Sequence, residues 1–172
     1  MRIIIEGPDG SGKSTLAGEL KKRLDKPIFH SGGPVVDKEE MYDRIDMQLD
    51  KTNDYIIDRC TVFSEPVYGL ILRGYSLLTH KKFENYVKKM VVDGIIVVYC
   101  KAKGKIEKGK TWKSKDHMRE VEEQQRYIRS LYATIMYKTS SLGLTVMNWN
   151  WKQFGNKDEE EMAYRWLEWE LK

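Results

Sequence analysis

A glycine-rich turn between an apolar run and a helical pattern constrains the fold of this chain more than any other feature. Residues 7–14 read Gly-Pro-Asp-Gly-Ser-Gly-Lys-Ser, a complete G-x-x-x-x-G-K-S phosphate loop. Three isoleucines at residues 3–5 precede the loop, and apolar residues at helical spacing follow it. Strand, turn and helix in this order are the context that the motif requires. The sequence therefore predicts a nucleotide-phosphate site at the start of the first helix.

The residue types inside the loop suit that role. Glycines let the backbone wrap round phosphate oxygens and point N–H groups at them, and the helix N-terminus adds partial positive charge. Lys13 can reach the β- and γ-phosphates, and the Ser14 hydroxyl can hold Mg²⁺. The predicted ATP-binding residues are Gly7, Asp9, Gly10, Ser11, Gly12, Lys13, Ser14 and Thr15.

Strand-length apolar runs alternate with helical patterns along the rest of the chain. The runs lie at 2–6, 27–30, 55–58, 94–100 and 144–149, and the helical patterns lie at 13–24, 38–50, 64–78, 81–92, 115–140 and 158–171. Such alternation predicts one doubly wound α/β domain over residues 1–172. Ser64 is the predicted N-cap of the third helix. Four tryptophans are expected in the core, namely Trp149, Trp151, Trp166 and Trp169.

Composition indicates a globular protein without a membrane partner. Hydrophobic residues make up 41% of the 172 residues and charged residues 33%, and no apolar run approaches a membrane span. The first strand leaves no room for a signal peptide, and Cys60 and Cys100 fit no metal or disulfide spacing. We therefore expect a cytoplasmic protein, in the host cytoplasm if the chain is phage-encoded.

Positive charge is concentrated in one segment. Residues 101–119 hold seven lysines and Arg119 against two acidic residues, within a net charge of +4 for the chain. The segment is also glycine-containing and is the best candidate for a lid. Its charge suits a polyanionic partner. Either a nucleoside triphosphate or nucleic acid could be that partner.

A second group of polar residues follows the third predicted strand. The chain reads Asp58-Arg59-Cys60, then Ser64, Tyr68-Gly69 and Arg73-Gly74. Functional residues of open α/β sheets gather at the carboxyl ends of strands. An aspartate there can position Mg²⁺, and an arginine can fork onto a phosphate.

These residues, together with the loop, resemble the thymidylate kinase group of nucleoside monophosphate kinases, especially its compact phage-type members. That family joins a Gly-x-Asp-Gly-x-Gly-Lys-[Ser/Thr] loop to a later Asp-Arg, Ser, Tyr and Arg-Gly, and the match covers about the first 75 residues of this chain. The resemblance implies a five-stranded parallel sheet in the order 2-3-1-4-5 with a lid. It also implies ATP and Mg²⁺ as cofactors, a deoxynucleoside monophosphate as acceptor, and a homodimer.

The resemblance also implies a role for each matching residue. Asp9 corresponds to the acid that approaches the sugar 3′-hydroxyl of the acceptor, and Arg59 to the arginine that binds its phosphate. Asp58 corresponds to the acid near the metal and the transferred phosphoryl group. Tyr68 corresponds to the ring that packs on the sugar and disfavours a 2′-hydroxyl. Arg73 corresponds to a further arginine of the acceptor site.

The chain departs from the family pattern around the base of the acceptor. Only 44 residues separate Lys13 from Asp58, so a segment that helps to hold the base in larger relatives is short here. Glu65 stands where some relatives place a small amide. A carboxylate favours a base edge rich in donors, although Glu65 could instead be a first-turn acid that stabilises the helix dipole. His30 is a candidate for the base pocket, with a structural role as the alternative.

The cation that stabilises the transferred phosphoryl group is expected outside the phosphate loop, because the loop contains no arginine. Relatives of this kind supply it from the lid. Arg119 and Arg126 are the preferred candidates, since an arginine fork suits the transition state better than lysine does. The predicted activity is ATP-dependent phosphorylation of a deoxynucleoside monophosphate to the diphosphate, the acceptor being thymidylate or a related nucleotide with an ordinary or a modified base. The alternatives are a deoxynucleoside kinase, a protein that phosphorylates or binds nucleic acid ends through residues 101–119, and a catalytically weak nucleotide-binding module.

Overall fold

The computed structural model describes residues 2–50, 54–101 and 124–172, in which one α-helix follows each of the five strands and a second follows the third strand. The strands are β1 (Ile3–Glu6), β2 (Ile28–His30), β3 (Ile56–Asp58), β4 (Ile96–Cys100) and β5 (Thr145–Trp149). The helices are α1 (Lys13–Leu24), α2 (Lys38–Gln48), α3 (Thr61–Arg73), α4 (His80–Val92), α5 (Gln125–Ser141) and α6 (Lys157–Glu170), with a short 3₁₀ helix at Trp151–Gln153.

All five strands are parallel and form one sheet in the order β2-β3-β1-β4-β5. This confirms the predicted strand order and fold class. Strand β1 is central, with Ile3 level with Ile56 of β3 on one side and Ile96 of β4 on the other. The carboxyl ends of β1 and β3 therefore lie side by side, which brings the residues after them to one edge of the sheet.

Side-chain alternation along β1 divides the core into two layers. Ile3 and Ile5 face α1 and α6, whereas Ile4 faces the layer built from α2, α3, α4 and α5. All three isoleucines are fully buried. Burial on both faces explains why the strand is a continuous apolar run and not an alternating one.

Helix α3 begins one turn earlier than predicted. Thr61 is its first residue and Cys60 its N-cap, so the assignment of Ser64 as N-cap is wrong. Pro66 lies inside the helix and lacks the N–H that would bond to the preceding turn. The first turn nevertheless forms because it buries Val62 and Phe63 completely in the core.

The tryptophans near the C-terminus do not all lie in the core as predicted. Trp149 is buried, but Trp151, Trp166 and Trp169 are 43%, 51% and 73% exposed. The inner face of α6 is instead formed by Tyr164 and Leu167, and together with Leu171 directly after the helix they pack in the same layer as α1. Trp166 and Trp169 occupy the opposite side of the helix. Across the described ranges, no helix has the length and apolarity needed to cross a membrane.

Candidate active site

The phosphate loop connects β1 to α1 and depends on glycine at its first position. Gly7 has φ +146°, and a Cβ built there would lie 2.4 Å from the backbone oxygen of Cys100 on the neighbouring strand. At the other end Gly12, with φ +86°, is the left-handed N-cap of α1. The loop therefore begins in contact with β4 and ends at the N-terminus of α1.

Gly7→Ala is expected to lower the free energy of unfolding by about 3 kcal/mol, because the added methyl group meets backbone in a disfavoured conformation. Gly18→Ala is the matched control, since Gly18 lies in α1 with nothing within 4 Å of the new Cβ. That helical exchange should raise stability by about 0.5–1 kcal/mol. Thermal unfolding of both variants measures the difference, and equal melting temperatures would contradict the contact with β4.

Lys13 is held over the loop and is nearly buried. Its Nζ donates to the carbonyl oxygen of Pro8 at 2.8 Å and lies 3.9 Å from the Asp9 carboxylate. Burial lowers the pKa of Lys13 and nearby Arg59 lowers it further, against the attraction of Asp9 and Glu6. An anionic phosphate at this position would favour the charged ammonium and offset both effects.

Ser14 and Asp58 meet where the loop faces the end of β3. The Ser14 hydroxyl donates to Asp58 Oδ2 at 3.2 Å, and His30 Nδ1 lies 3.2 Å from the same oxygen. One hydroxyl and one carboxylate are the protein ligands that Mg²⁺ typically uses when nucleotide phosphates and water complete its shell. No cluster of three or more His, Cys, Asp or Glu suited to a metal occurs within residues 2–50, 54–101 and 124–172. The donor set thus fits a phosphate-bound Mg²⁺ and not an all-protein metal cage.

Arg59 follows in a strained backbone conformation. Its φ is +72°, the left-handed region that non-glycine residues rarely adopt, and its N–H donates to Ile5 O at 3.0 Å. Gln48, fully buried at the end of α2, donates to the carbonyl oxygen of Arg59 and accepts from the N–H of Thr61. These two bonds from the Gln48 amide hold the turn after β3 and so fix the direction of the Arg59 side chain. Gln48 is not among the site residues predicted from the sequence.

Asp9, Arg59 and Tyr68 form a compact group beside the loop. Asp9 accepts hydrogen bonds from Arg59 Nη2 and, at 2.7 Å, from the Tyr68 hydroxyl, and the guanidinium lies 4.9 Å from the Tyr68 ring centre. Burial would raise the pKa of Asp9, but Arg59, Lys13 and Tyr68 outweigh it and hold that pKa below its usual value. Burial likewise opposes the charge on Arg59, yet Tyr68, Tyr132, Asp9 and Glu6 raise its pKa well above the ordinary value. Both groups are therefore charged at neutral pH.

A fully buried carboxylate, Glu6, lies beneath this group. It accepts from the N–H of Gly7 at 3.1 Å, the N–H of Cys60 at 2.9 Å and the hydroxyl of Tyr132 on α5 at 3.0 Å. Burial raises the pKa of Glu6, and the nearby charges of Arg59 and Lys13 oppose that rise. Glu6 is not among the site residues predicted from the sequence. A charged residue at the end of an otherwise apolar strand, directly before the loop, is the signal that could have found it.

A cavity next to Arg59 is lined by one stripe of α3. The helix contributes Thr61, Ser64, Glu65, Tyr68 and Leu72, and the opposite wall is the segment 31–35 after β2 together with Arg44. This cavity and a second one over the phosphate loop share four residues, namely Asp9, Ser31, Gly32 and Arg59. The two cavities are therefore joined at the Asp9–Arg59 pair.

Glu65 and Arg73 are paired inside α3. Arg73 Nη2 bonds to Glu65 Oε1, and Arg73 Nη1 donates to Val35 O at 3.0 Å. Glu65 lies in the second turn of the helix and is buried, so the alternative reading of it as a first-turn acid is wrong. His30 lines the cavity over the phosphate loop and not the cavity along α3.

The structure describes only one of the two arginines predicted as further cations, and that arginine, Arg126, lines neither cavity. Arg126 lies exposed in the first turn of α5. Arg119 and, apart from Lys101, the predicted lid at 101–119 lie outside the described residues.

At the helix end of the loop the Trp151 ring packs over Gly12, with Cδ1 2.8 Å from the position of an added Cβ. Beside it the buried Asn150 Oδ1 has no hydrogen-bond partner in the described part of the chain.

Comparison with known proteins identifies the family. The YorR protein derived from the SPbeta prophage of Bacillus subtilis (strain 168) is 30% identical over 159 residues, 91% of this chain and 92% of YorR. The chain belongs to the YorR family. The crystal structure of YorR with phosphorylated GDP matches with a TM-score of 0.63 and 26% identity, covering 96% of this chain and 95% of YorR. No family model matches the chain.

The fold of the YorR family is that of P-loop nucleotide kinases. Deoxyadenosine kinase from M. mycoides with bound dATP matches with a TM-score of 0.58 and 18% identity over 97% of this chain and 99% of the kinase. Thymidylate kinase from Candida albicans matches with a TM-score of 0.56 and 16% identity over 96% of this chain and 88% of that enzyme. These two likenesses show that this YorR-family chain shares its parallel-sheet architecture with P-loop nucleotide kinases.

Proposed function

We propose that this protein transfers the γ-phosphoryl group of ATP, with Mg²⁺, to a deoxynucleoside monophosphate and releases ADP and the diphosphate. The observation that carries the proposal is the pair of joined cavities. One lies over Lys13, Ser14 and Asp58, and the other lies along α3, with Asp9 and Arg59 at their junction. A donor triphosphate and an acceptor phosphate placed in them would meet at Arg59. The phosphorylated GDP bound to YorR supports a nucleotide in this site.

The residues around the junction have distinct roles in this proposal. Lys13 and the N–H groups of Gly10, Gly12, Ser14 and Thr15 bind the donor phosphates, aided by Gly7 and Ser11 in shaping the loop. Ser14 and Asp58 would hold Mg²⁺, which neutralises charge on the phosphates. Arg59 forks onto the acceptor phosphate, and its bond to Asp9 fixes its direction. Tyr68 places its ring against the sugar.

The transfer itself forms one O–P bond and breaks another. An ionised oxygen of the acceptor phosphate attacks the γ-phosphorus in line, and the bond from that phosphorus to the β–γ bridging oxygen breaks. No proton has to leave the acceptor. Positioning and charge cancellation are then the main contributions of the protein. We propose Arg119 or Arg126 as the further cation, and Asn150 and Trp151 as contacts of the donor base.

The state of Asp9 favours a phosphate over a hydroxyl as acceptor. A nucleoside kinase must remove a proton from the hydroxyl that attacks, so it needs a general base near the junction of the cavities. Asp9 is the carboxylate at that junction. Both of its oxygens accept hydrogen bonds, and its pKa is held below the usual value, which makes it a weak base. This argues against the deoxynucleoside kinase alternative.

A coupled assay of ADP release tests the proposal. ATP and Mg²⁺ are combined with a panel of deoxynucleoside monophosphates, ribonucleoside monophosphates and nucleosides, with GTP as a second donor. Turnover on one or more deoxynucleoside monophosphates is expected, and Lys13→Ala should reduce it by about 10³-fold because the β- and γ-phosphates lose their cation. Lys21→Ala, an exposed lysine on the same helix, is the matched control and should leave the rate unchanged.

Two results would contradict this function. Turnover on nucleosides alone would move the assignment to a deoxynucleoside kinase. No turnover with any acceptor, while ATP still binds, would exclude a small-molecule kinase. That result would favour the alternative of a protein that acts on nucleic acid ends.

A further inference from the structure

A buried carboxylate lines the cavity along α3. Glu65 is 4% exposed, and it lies one turn before Tyr68 on the same stripe of the helix. Arg59 and Asp9 mark the end of the cavity that joins the phosphate loop. An acceptor with its phosphate at Arg59 and its sugar at Tyr68 would therefore direct its base towards Glu65.

The hydrogen bonds of Glu65 fix which of its oxygens a ligand can reach. Oε1 accepts from Arg73 Nη2 and, at 2.8 Å, from the N–H of Leu77. A carboxylate oxygen has two lone pairs, so these two donors occupy Oε1. Within the described residues both bonds to Glu65 end on Oε1, which leaves Oε2 as the acceptor for a group inside the cavity.

Arg73 does not line this cavity, and two of its N–H groups are bonded within the protein. One of its terminal nitrogens bonds to Glu65 and the other to Val35 O. The guanidinium therefore anchors the carboxylate, and Glu65 lines the cavity, whereas the resemblance implies Arg73 as a further arginine of the acceptor site.

We infer that Glu65 selects for a base with an exocyclic amino group, and against thymine and uracil, in the acceptor site of the proposed kinase. Adenine and cytosine present an amino donor where thymine presents the O4 acceptor, and guanine carries its own amino group. An amino hydrogen can bond to Oε2. At the same position the O4 oxygen of thymine or uracil would instead face the Glu65 carboxylate with no hydrogen between the two oxygens, which is unfavourable.

The first test compares acceptors with the unmodified protein. Binding of dAMP, dGMP, dCMP, dTMP and dUMP is measured by calorimetric titration, and turnover with ATP is measured on the same set. At least one amino-bearing nucleotide should bind and react more than about tenfold better than dTMP and dUMP. Equal or better use of dTMP would overturn the inference and leave the proposed kinase standing.

Glu65→Gln is the sharper test because it preserves the anchor. The amide oxygen can keep the bonds from Arg73 and Leu77, which places the amide nitrogen at the position of Oε2. A donor then replaces the acceptor in the cavity, and the preference ratio should shift towards dTMP by about tenfold or more. Glu170→Gln, an exposed residue at the end of α6, is the matched control and should leave the ratio unchanged.

The outcomes separate this inference from the proposed function. An unchanged ratio in folded Glu65→Gln would overturn it. If no monophosphate is phosphorylated but the titrations still favour amino-bearing bases, the proposed function fails and the base preference at Glu65 stands as a property of nucleotide binding. If the variant does not fold, the acceptor preference of the unmodified protein decides the question alone.

Discussion

Replacing Arg59 with glycine is expected to lower kcat/KM for the acceptor by about 10³-fold, because in the proposed kinase the acceptor phosphate would lose its fork of donors. The fold should survive. Arg59 has φ +72°, a conformation that glycine adopts without strain, so the exchange relieves the backbone while it deletes the side chain. Steady-state kinetics gives the first effect, and circular dichroism confirms that the variant is folded.

Arg59→Lys separates charge from geometry in the same experiment. Lysine keeps the positive charge but cannot donate in a planar fork or stack on Tyr68 as the guanidinium does. Its activity should fall between those of the glycine variant and the unmodified protein. Activity of Arg59→Gly within about tenfold of the unmodified protein would show that Arg59 does not bind the transferring groups.

Truncation of Glu6 is expected to have the largest effect on stability. Glu6→Ala leaves three buried donors without an acceptor, the N–H groups of Gly7 and Cys60 and the hydroxyl of Tyr132. It also removes a carboxyl group that lies near the charges of Lys13 and Arg59. The free energy of unfolding should fall by about 3 kcal/mol or more. For a chain of this length the melting temperature should fall by about 6–12 °C.

Two further variants calibrate that result. Tyr132→Phe removes one donor and leaves the other two bonds to Glu6 intact, so it should cost about 1 kcal/mol. Glu170→Ala replaces an exposed glutamate and should change stability by less than about 0.5 kcal/mol. A loss in Glu6→Ala no greater than that in Glu170→Ala would show that water or local movement satisfies the three donors.

The strands and the phosphate loop could be predicted because their signals are local. Residues 3–5 and 94–100 are apolar without interruption, as strands covered on both faces must be, and the loop carries its chemistry within eight consecutive residues. The start of α3 could not be predicted in this way. Pro66 and Ser64 indicate a later start, and only the tertiary burial of Val62 and Phe63 overrides them.

The supports of the candidate site were missed because their partners are distant in sequence. Glu6 bonds to Tyr132 across 126 positions, and Gln48 acts on Arg59 and Thr61 from the end of another helix. The partners of Glu65 are nearer in sequence, but Arg73 lies more than two turns further along α3 and Leu77 lies beyond its end, so these contacts depend on how the chain continues after the helix. The predicted burial of Trp166 and Trp169 was wrong for another reason. Periodicity defines two opposite faces of a helix without showing which one the rest of the protein covers.

The central position of β1 has a consequence for how the chain reaches its native state. Its neighbours β3 and β4 lie more than fifty and more than ninety residues further along the chain, so no hairpin or other local contact can nucleate the sheet around it. Pairings of such long range make folding slow, because a large loop must close before any contact rewards it. During synthesis the phosphate loop cannot make its contact with β4 until the strand containing Cys100 has been made. Nucleotide therefore cannot assist the earliest stages of folding.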